Sequence, residues 1–442
     1  MSVLHAQHMP SREELVAGTS RPISRTIKLA CVLLAAIGGV AFLIGAFTGS
    51  SRMWQALHVS WLYATTISSA GVVFVGVQRI TTARWSRPII RFLEGYVAFL
   101  PVAFIILLLL ISVGKGHIFP WTHHMPDIEE KQQYLEPVFF TMRVIGVYLV
   151  IAGLSVWYVW TSVRLDVGHV PESGAAWARG IRARMRRGFS EERREIHSTH
   201  SLQGKLAVLL ALAFGMGWPV LSWDLSMSLD VYFFSTMYGW WVFMGGWVAA
   251  LASFSILTMA WRRWLGRYDL ITEHHFHDLG KLCFAFTAFW GYITFGQYLI
   301  IWYANIAEET HWMRLRLMGV WKPVSLTVVF LMFVLPFFGL LSRAAKVMLP
   351  VFVFFASCTI VGLWFHRYVE IYPAIYEVAP ALPLGLWELA MGLGVVGLWG
   401  LCYAAFMDAF PRVRVTLMTS PYRDEVQVPV DPKTMEPLPA HE

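Results

Sequence analysis

An all-α polytopic membrane protein with about ten transmembrane helices is the fold class the sequence predicts, and three observations carry it. Hydrophobic residues make up 57% of the 442 residues and charged ones only 14%, which leaves more apolar surface than a water-facing fold can cover. Aromatic residues reach 15%, with 21 Trp and 30 Phe, and amphipathic rings favour the boundary between hydrocarbon and headgroups. Ten segments are also apolar over the roughly 20 residues that a helix needs to cross a bilayer.

In chain order these segments are residues 29 to 49, 54 to 78, 92 to 114, 137 to 162, 205 to 223, 229 to 260, 281 to 305, 322 to 342, 346 to 366 and 385 to 408. Pro101, Pro219 and Pro336 fall inside spans, where a missing N–H frees a carbonyl and predicts a kink. Alternating the loops places 27 of the 35 Lys and Arg on the side shared by both termini and 8 on the other. The positive-inside rule then predicts a cytoplasmic segment 1–28, a transmembrane domain 29–408 and a cytoplasmic tail 409–442.

The strongest topological signal is the loop 164–204, with Arg179, Arg182, Arg184, Arg186, Arg187, Arg193 and Arg194. It reads either as a docking surface for an acidic partner or anionic lipid, or as a topology signal on an amphipathic helix. Residues 422–442 are too poor in apolar side chains to form a core and are expected to order only on a partner. The net charge of +7 is spread between spans, which argues for topology and against nucleic acid. Cys31, Cys283, Cys358 and Cys402 lie in apolar runs without a CxxC or CxxCH pattern, so they read as unpaired packing residues. Gly38, Gly39, Gly246, Ala250, Gly394 and Gly397 offer the small surfaces that membrane helices use to approach partner helices.

Ionisable groups at membrane depth are costly, so each is a candidate for function. His58, Arg143 and Asp224 lie near the non-cytoplasmic ends of spans 2, 4 and 5, with Asp230 closing the run that starts at Ser222. A histidine, a cation and a carboxylate at one depth could accept or relay quinol protons. Alternatively, Arg143 and Asp224 form a structural ion pair. A second cluster, Asp269, Glu273, His274, His275, His277, Asp278 and Lys281, begins span 7. It fits proton uptake or helix capping, and its spacing is no metal signature. Glu94 lies one turn from Arg91 and is expected to pair with it, while Tyr292, Gln297 and Tyr298 place polar groups in span 7. Only His58 and His366 stand at span ends, leaving open one bis-His haem site. Without cluster cysteines or a dinucleotide fingerprint, the chain is expected to carry no redox cofactor of its own.

Residues 222–246, SWDLSMSLDVYFFSTMYGWWVFMGG, and 274–309, HHFHDLGKLCFAFTAFWGYITFGQYLIIWYANIAEE, resemble the ActF membrane subunits of bacterial alternative complex III, within the NrfD/polysulfide-reductase family. The resemblance extends over most of residues 25 to 415. It implies two four-helix bundles, spans 2 to 5 and 6 to 9 (approximately 54–223 and 229–366), with spans 1 and 10 peripheral. It also implies a place in a quinol:cytochrome c (electron acceptor) oxidoreductase of the bacterial inner membrane. The implied partners are a homologous NrfD-type subunit (ActC) that binds quinol, a periplasmic iron–sulfur subunit, c-type haem subunits, membrane lipids and a terminal oxidase. Two other functions stay open: a quinol-binding subunit in its own right, and a secondary transporter, which would be expected to show paired broken helices near the midplane.

Overall fold

The computed structural model describes residues 11–125 and 127–426. Expectations for residues 1–10 and for the tail beyond 426 lie outside the described residues. Ten helices are long and apolar enough to cross a membrane: α1 (Arg25–Phe47), α2 (Ser51–Ile80), α3 (Ile90–Ser112), α4 (Pro137–His169), α5 (Glu192–Leu229), α6 (Thr236–Leu265), α7 (Glu273–Ala304), α8 (Gly319–Gly339), α9 (Leu349–Ile375) and α10 (Leu386–Ala409). Their ends follow ordinary capping chemistry. Ser24 accepts from Thr26 N–H at 3.2 Å to start α1, and Glu136 accepts from Phe139 N–H at 2.6 Å ahead of Pro137 in α4, satisfying amide donors that have no carbonyl partner in a first turn. Gly266 (φ 69°) stops α6 and Asn305 (φ 49°) stops α7, the two residue types that best tolerate the left-handed conformation.

Burial along the spans gives the architecture. In the most apolar window of α2, 94% of residues are buried, against 11% for α1, so α2 is the central post and α1 faces outward. Around α2 stand α3, α4 and α5 on one side and α6 and α9 on the other. Helices α7 and α8 complete the second group against α6 and α9, and α1 packs on α10 along the flank of α2.

The glycines expected to meet partner helices are mostly used inside the chain. A Cβ on Gly38 would lie 2.4 Å from the Cα of Gly394, one on Gly397 would lie 2.4 Å from the backbone of Ala35, and one on Gly246 would lie 2.7 Å from Thr66. Only glycine permits these close approaches. Gly39 alone of these five faces open space.

Two spans are irregular. A 3₁₀ stretch, Gly95–Phe99, precedes Pro101 in α3, and a π turn, Phe330–Val334, precedes Pro336 in α8. Both absorb the carbonyl that proline leaves without a donor. Pro219 stays inside α5 with Gly239 of α6 packed on it, 2.5 Å from a hypothetical Cβ.

Three sequence-based boundaries change. The loop 164–204 is shorter than expected, because α4 runs to His169 and α5 starts at Glu192. Between them Arg182 is buried and donates to the carbonyls of Pro171, Ala175 and Ala409, so this arginine holds loop to core and offers no docking charge. The first part of the 409–442 tail is also structural. Val413 and Val415 pack with Leu15, and Arg412, Arg414 and Thr416 are buried. Finally, α9 continues to Ile375, nine residues beyond 366, because Arg367 and Glu370 neutralise each other inside it.

Candidate functional site

Buried ionisable groups gather at the two ends of the bundle, the face that carries the described termini and the opposite face. At the terminal face, Arg91 and Glu94 on α3 form the expected one-turn ion pair, but the pair belongs to a larger network. Arg91 also pairs with Asp166 of α4, and Glu94 with Arg414, whose Nε donates at 3.1 Å. Ser162 donates to Glu94 at 2.7 Å, and Asp166 accepts from the amide of Thr416 at 2.8 Å. Burial alone would lower the Arg414 pKa; the adjacent Glu94 carboxylate and Tyr158 hold it above the usual arginine value. Two guanidiniums against two carboxylates leave the network neutral, which is the condition for burying charge.

The opposite face holds several separate groups; in one, the buried Glu388 at the start of α10 pairs with Arg52 of α2 at 2.8 Å and accepts from the Tyr372 hydroxyl at 2.7 Å. Arg143 and Asp224 meet as a fork, with Nε and Nη2 at 2.8 and 2.7 Å from the two carboxylate oxygens. Arg143 also donates to the Tyr134 carbonyl at 3.1 Å and lies 3.8 Å over the Tyr134 ring. Burial and the neighbouring Asp224 raise the Tyr134 pKa, so its hydroxyl stays protonated beside the pair. His58 does not join them. It is 1% exposed, its ring packs 5.7 Å from Phe119, and both ring nitrogens lack a hydrogen-bond partner.

Another group was only partly legible. On α9, Arg367 pairs with Glu370, donates to the Val242 carbonyl at 2.7 Å and approaches Thr66 of α2 at 3.4 Å. His366 lies between Trp241 and Trp290, with Nδ1 at 3.1 Å from Glu370 but off hydrogen-bond alignment. Arg316, on the surface helix Ala307–Leu317, is buried beneath this face. It donates to the Trp312 and Glu370 carbonyls at 2.9 Å each and stacks 3.7 Å over Trp312. Burial lowers its pKa to about 10, despite Asp230 and Glu370 nearby. Asp230 acts electrostatically on both Arg316 and Lys131. The i, i+1, i+4 spacing of His366, Arg367 and Glu370 was the available signal.

Between the two ends, α2 presents Thr65, Thr66, Ser68 and Ser69, all buried, and then Gln78. Facing helices add hydroxyl pairs, Tyr96 with Ser253 at 2.7 Å beside Gly71, and the Trp261 indole donating to Tyr403 at 2.8 Å. Trp399 donates to Ser68 at 2.9 Å. From Thr66 to Gln78 the helix rises about 18 Å, over half the hydrocarbon thickness.

In the span 7 cluster one histidine caps the helix. His275 Nδ1 accepts from the Thr272 amide at 3.1 Å, and Asp278 pairs with Lys281 at 2.9 Å, while His277 is half-buried at the helix surface. Among the described residues no group of three metal-type ligands converges. The bis-His haem expectation also fails geometrically. His58 lies eight residues, about 12 Å of helix rise, from Thr66, the α2 residue at the level of Arg367 next to His366, and the two imidazoles have different neighbours. The four cysteines are free, with Cys283 buried and the others half-buried. No known family model matches the sequence, and no curated protein matches it.

Proposed function

We propose that this chain is a membrane subunit of a respiratory quinol:electron-acceptor oxidoreductase of the alternative complex III type, with cytoplasmic termini in a bacterial inner membrane. In this reading it carries no redox centre and contributes a scaffold and a proton route. Electrons pass through partner subunits holding iron–sulfur clusters and c-type haem, beside a second NrfD-type subunit, with a terminal oxidase downstream.

One observation carries the proton route: titratable groups are buried at both ends of a chain whose central helix holds hydroxyls between them. Protons would exchange at His366 and Glu370, with Arg367 as the fixed counter-charge, cross beside Thr66, Ser69 and the Tyr96–Ser253 pair with water filling the gaps, and meet Glu94 and Asp166, held by Arg91, near the cytoplasm. Carboxylates and hydroxyls relay protons without changing oxidation state, and intramembrane carboxylates mark such routes. Arg143 and Asp224 are assigned a structural role, because their fork is closed by Tyr134.

The transporter reading is disfavoured by a specific feature. Its broken helices should fall at corresponding places in the two groups, whereas the 3₁₀ stretch lies in α3 and the π turn in α8, the second and third helices of their groups. The assignment to a respiratory complex is tested by gentle solubilisation, a mass-spectrometric subunit inventory and an optical spectrum. Copurifying c-type haem and iron–sulfur proteins support it. A chain recovered without them, while quinol oxidation stays in another fraction, refutes it.

A further inference from the structure

We infer that a cavity at the terminal face, between the turn joining α2 to α3, the start of α5 and the segment after α10, binds a water-borne anion carrying a phosphate group. Its volume of about 600 Å³ lies in the range of small-molecule sites. Arg79, Arg84, Arg87 and Arg414 line it together with His200, and no carboxylate stands among the described lining residues. Guanidiniums are the side chains that match phosphate oxygens best, through paired, charge-assisted hydrogen bonds.

Arg79 is the cation left without a counter-charge. Arg414 is held by Glu94, but the hydrogen bonds of Arg79 go only to His200, to Nε2 at 2.7 Å and to the carbonyl at 3.1 Å. Its Nε is buried without a partner. A half-buried cation among other cations is costly while it stays uncompensated, and a bound anion supplies the missing charge. Gln78 is a second, independent sign of a ligand. It is 8% exposed and lines the cavity, and its amide oxygen has no partner, a condition in which buried polar atoms are rarely left. A protonated phosphate oxygen or a sugar hydroxyl would donate to it.

The rim shows where the ligand comes from. Thr81 and Thr82 are the exposed residues of the wall, while every described apolar residue lining it is buried or half-buried. An edge of hydroxyls and cations opens to water, and a lipid seated there would have no apolar exit for its chains. Trp85, also in the wall, offers an aromatic surface to a nucleotide base. Binding requires neither electron transfer nor a proton route, so it and the proposed function can fail independently.

The test uses the full-length chain in its purified complex, in phosphatidylcholine nanodiscs at low ionic strength, titrated calorimetrically with inorganic phosphate, AMP and ATP. Arg79→Gln removes a cation that has no counter-charge, so folding is expected to be retained. Thr81→Glu sets a carboxylate on the exposed rim. Expected results are saturable binding of a phosphate probe, affinity weakened at least about tenfold by each substitution, as for the loss of one charge-assisted hydrogen bond, and no change when phosphatidylglycerol is added to the nanodiscs. Failure of all three probes to saturate, or parental affinity in Arg79→Gln, would overturn the inference. So would competition by phosphatidylglycerol, which assigns the cavity to a lipid headgroup, or binding seen only after deletion of residues 427–442, which assigns it to the chain's own tail.

Discussion

Replacing Asp224 by Asn should destabilise the chain before it alters turnover, and the geometry sets the size of the effect. The Asp224 side chain is fully buried and Arg143 is 12% exposed, so the substitution leaves a guanidinium with little water to replace its counter-charge. Breaking a buried pair by removing one partner costs about 3–5 kcal/mol. Arg143 keeps the Tyr134 carbonyl and its place over the Tyr134 ring, and Asn keeps one acceptor, so the low end, about 3 kcal/mol, is expected. Realised in the native state alone, this speeds unfolding up to about 160-fold. The double variant Arg143→Met/Asp224→Leu removes both charges and should recover at least about 1.5 kcal/mol of that loss. Unfolding rates of the purified complex in detergent, followed by size-exclusion recovery over time, measure both. An Asp224→Asn protein unfolding within about threefold of the parent, or a double variant as unstable as the sum of its parts, refutes the structural assignment.

Three further outcomes are expected. Arg414→Leu leaves Glu94 short of a cation and should release the segment after α10, seen as protease cleavage between 409 and 426 that the parent resists, with a stability loss of about 3 kcal/mol; unchanged cleavage would contradict the packing of Val413 and Val415. Gly38→Leu cannot coexist with Gly394 at its present distance, so α1 should separate from α10, and a cysteine pair at Ala35 and Gly397 should lose its crosslink in that background; a retained crosslink would show that the glycine contact is dispensable. A cysteine at Ser173 should resist a membrane-impermeant reagent applied outside intact spheroplasts and react after permeabilisation, whereas labelling from outside would reverse the proposed orientation.

The spans were legible because the cost of placing polar backbone and charge in hydrocarbon is written in composition. Their azimuths were not. Arg91 and Glu94 could be paired by helical spacing, but Asp166 lies 75 residues from Arg91, and Arg414 lies 320 from Glu94. Hydropathy reports the depth of such groups and says nothing of which helices face each other. The same limit grouped His58 with Arg143 and Asp224, which share a depth while His58 faces Phe119 instead. Span 9 was ended at its first charged residues, which hid the Arg367–Glu370 pair; mutual neutralisation inside a helix looks, in sequence, like a boundary. The glycine stripes were correctly read as close-packing surfaces, but sequence could not tell a partner chain from α10 of the same chain.

The proton route is tested most directly by proton yield per electron in the complex reconstituted into sealed vesicles, comparing the parent with Glu370→Gln and Glu94→Gln. Both substitutions keep side-chain size and remove one titratable group. Because each substitution leaves a buried arginine short of its counter-charge, recovery of the complex should fall. Per assembled complex, matched for haem content, the account predicts proton release per electron reduced in both variants and electron transfer slowed at most in proportion. Proton yield per electron equal to the parent in both variants, in the complex that does assemble, would contradict it.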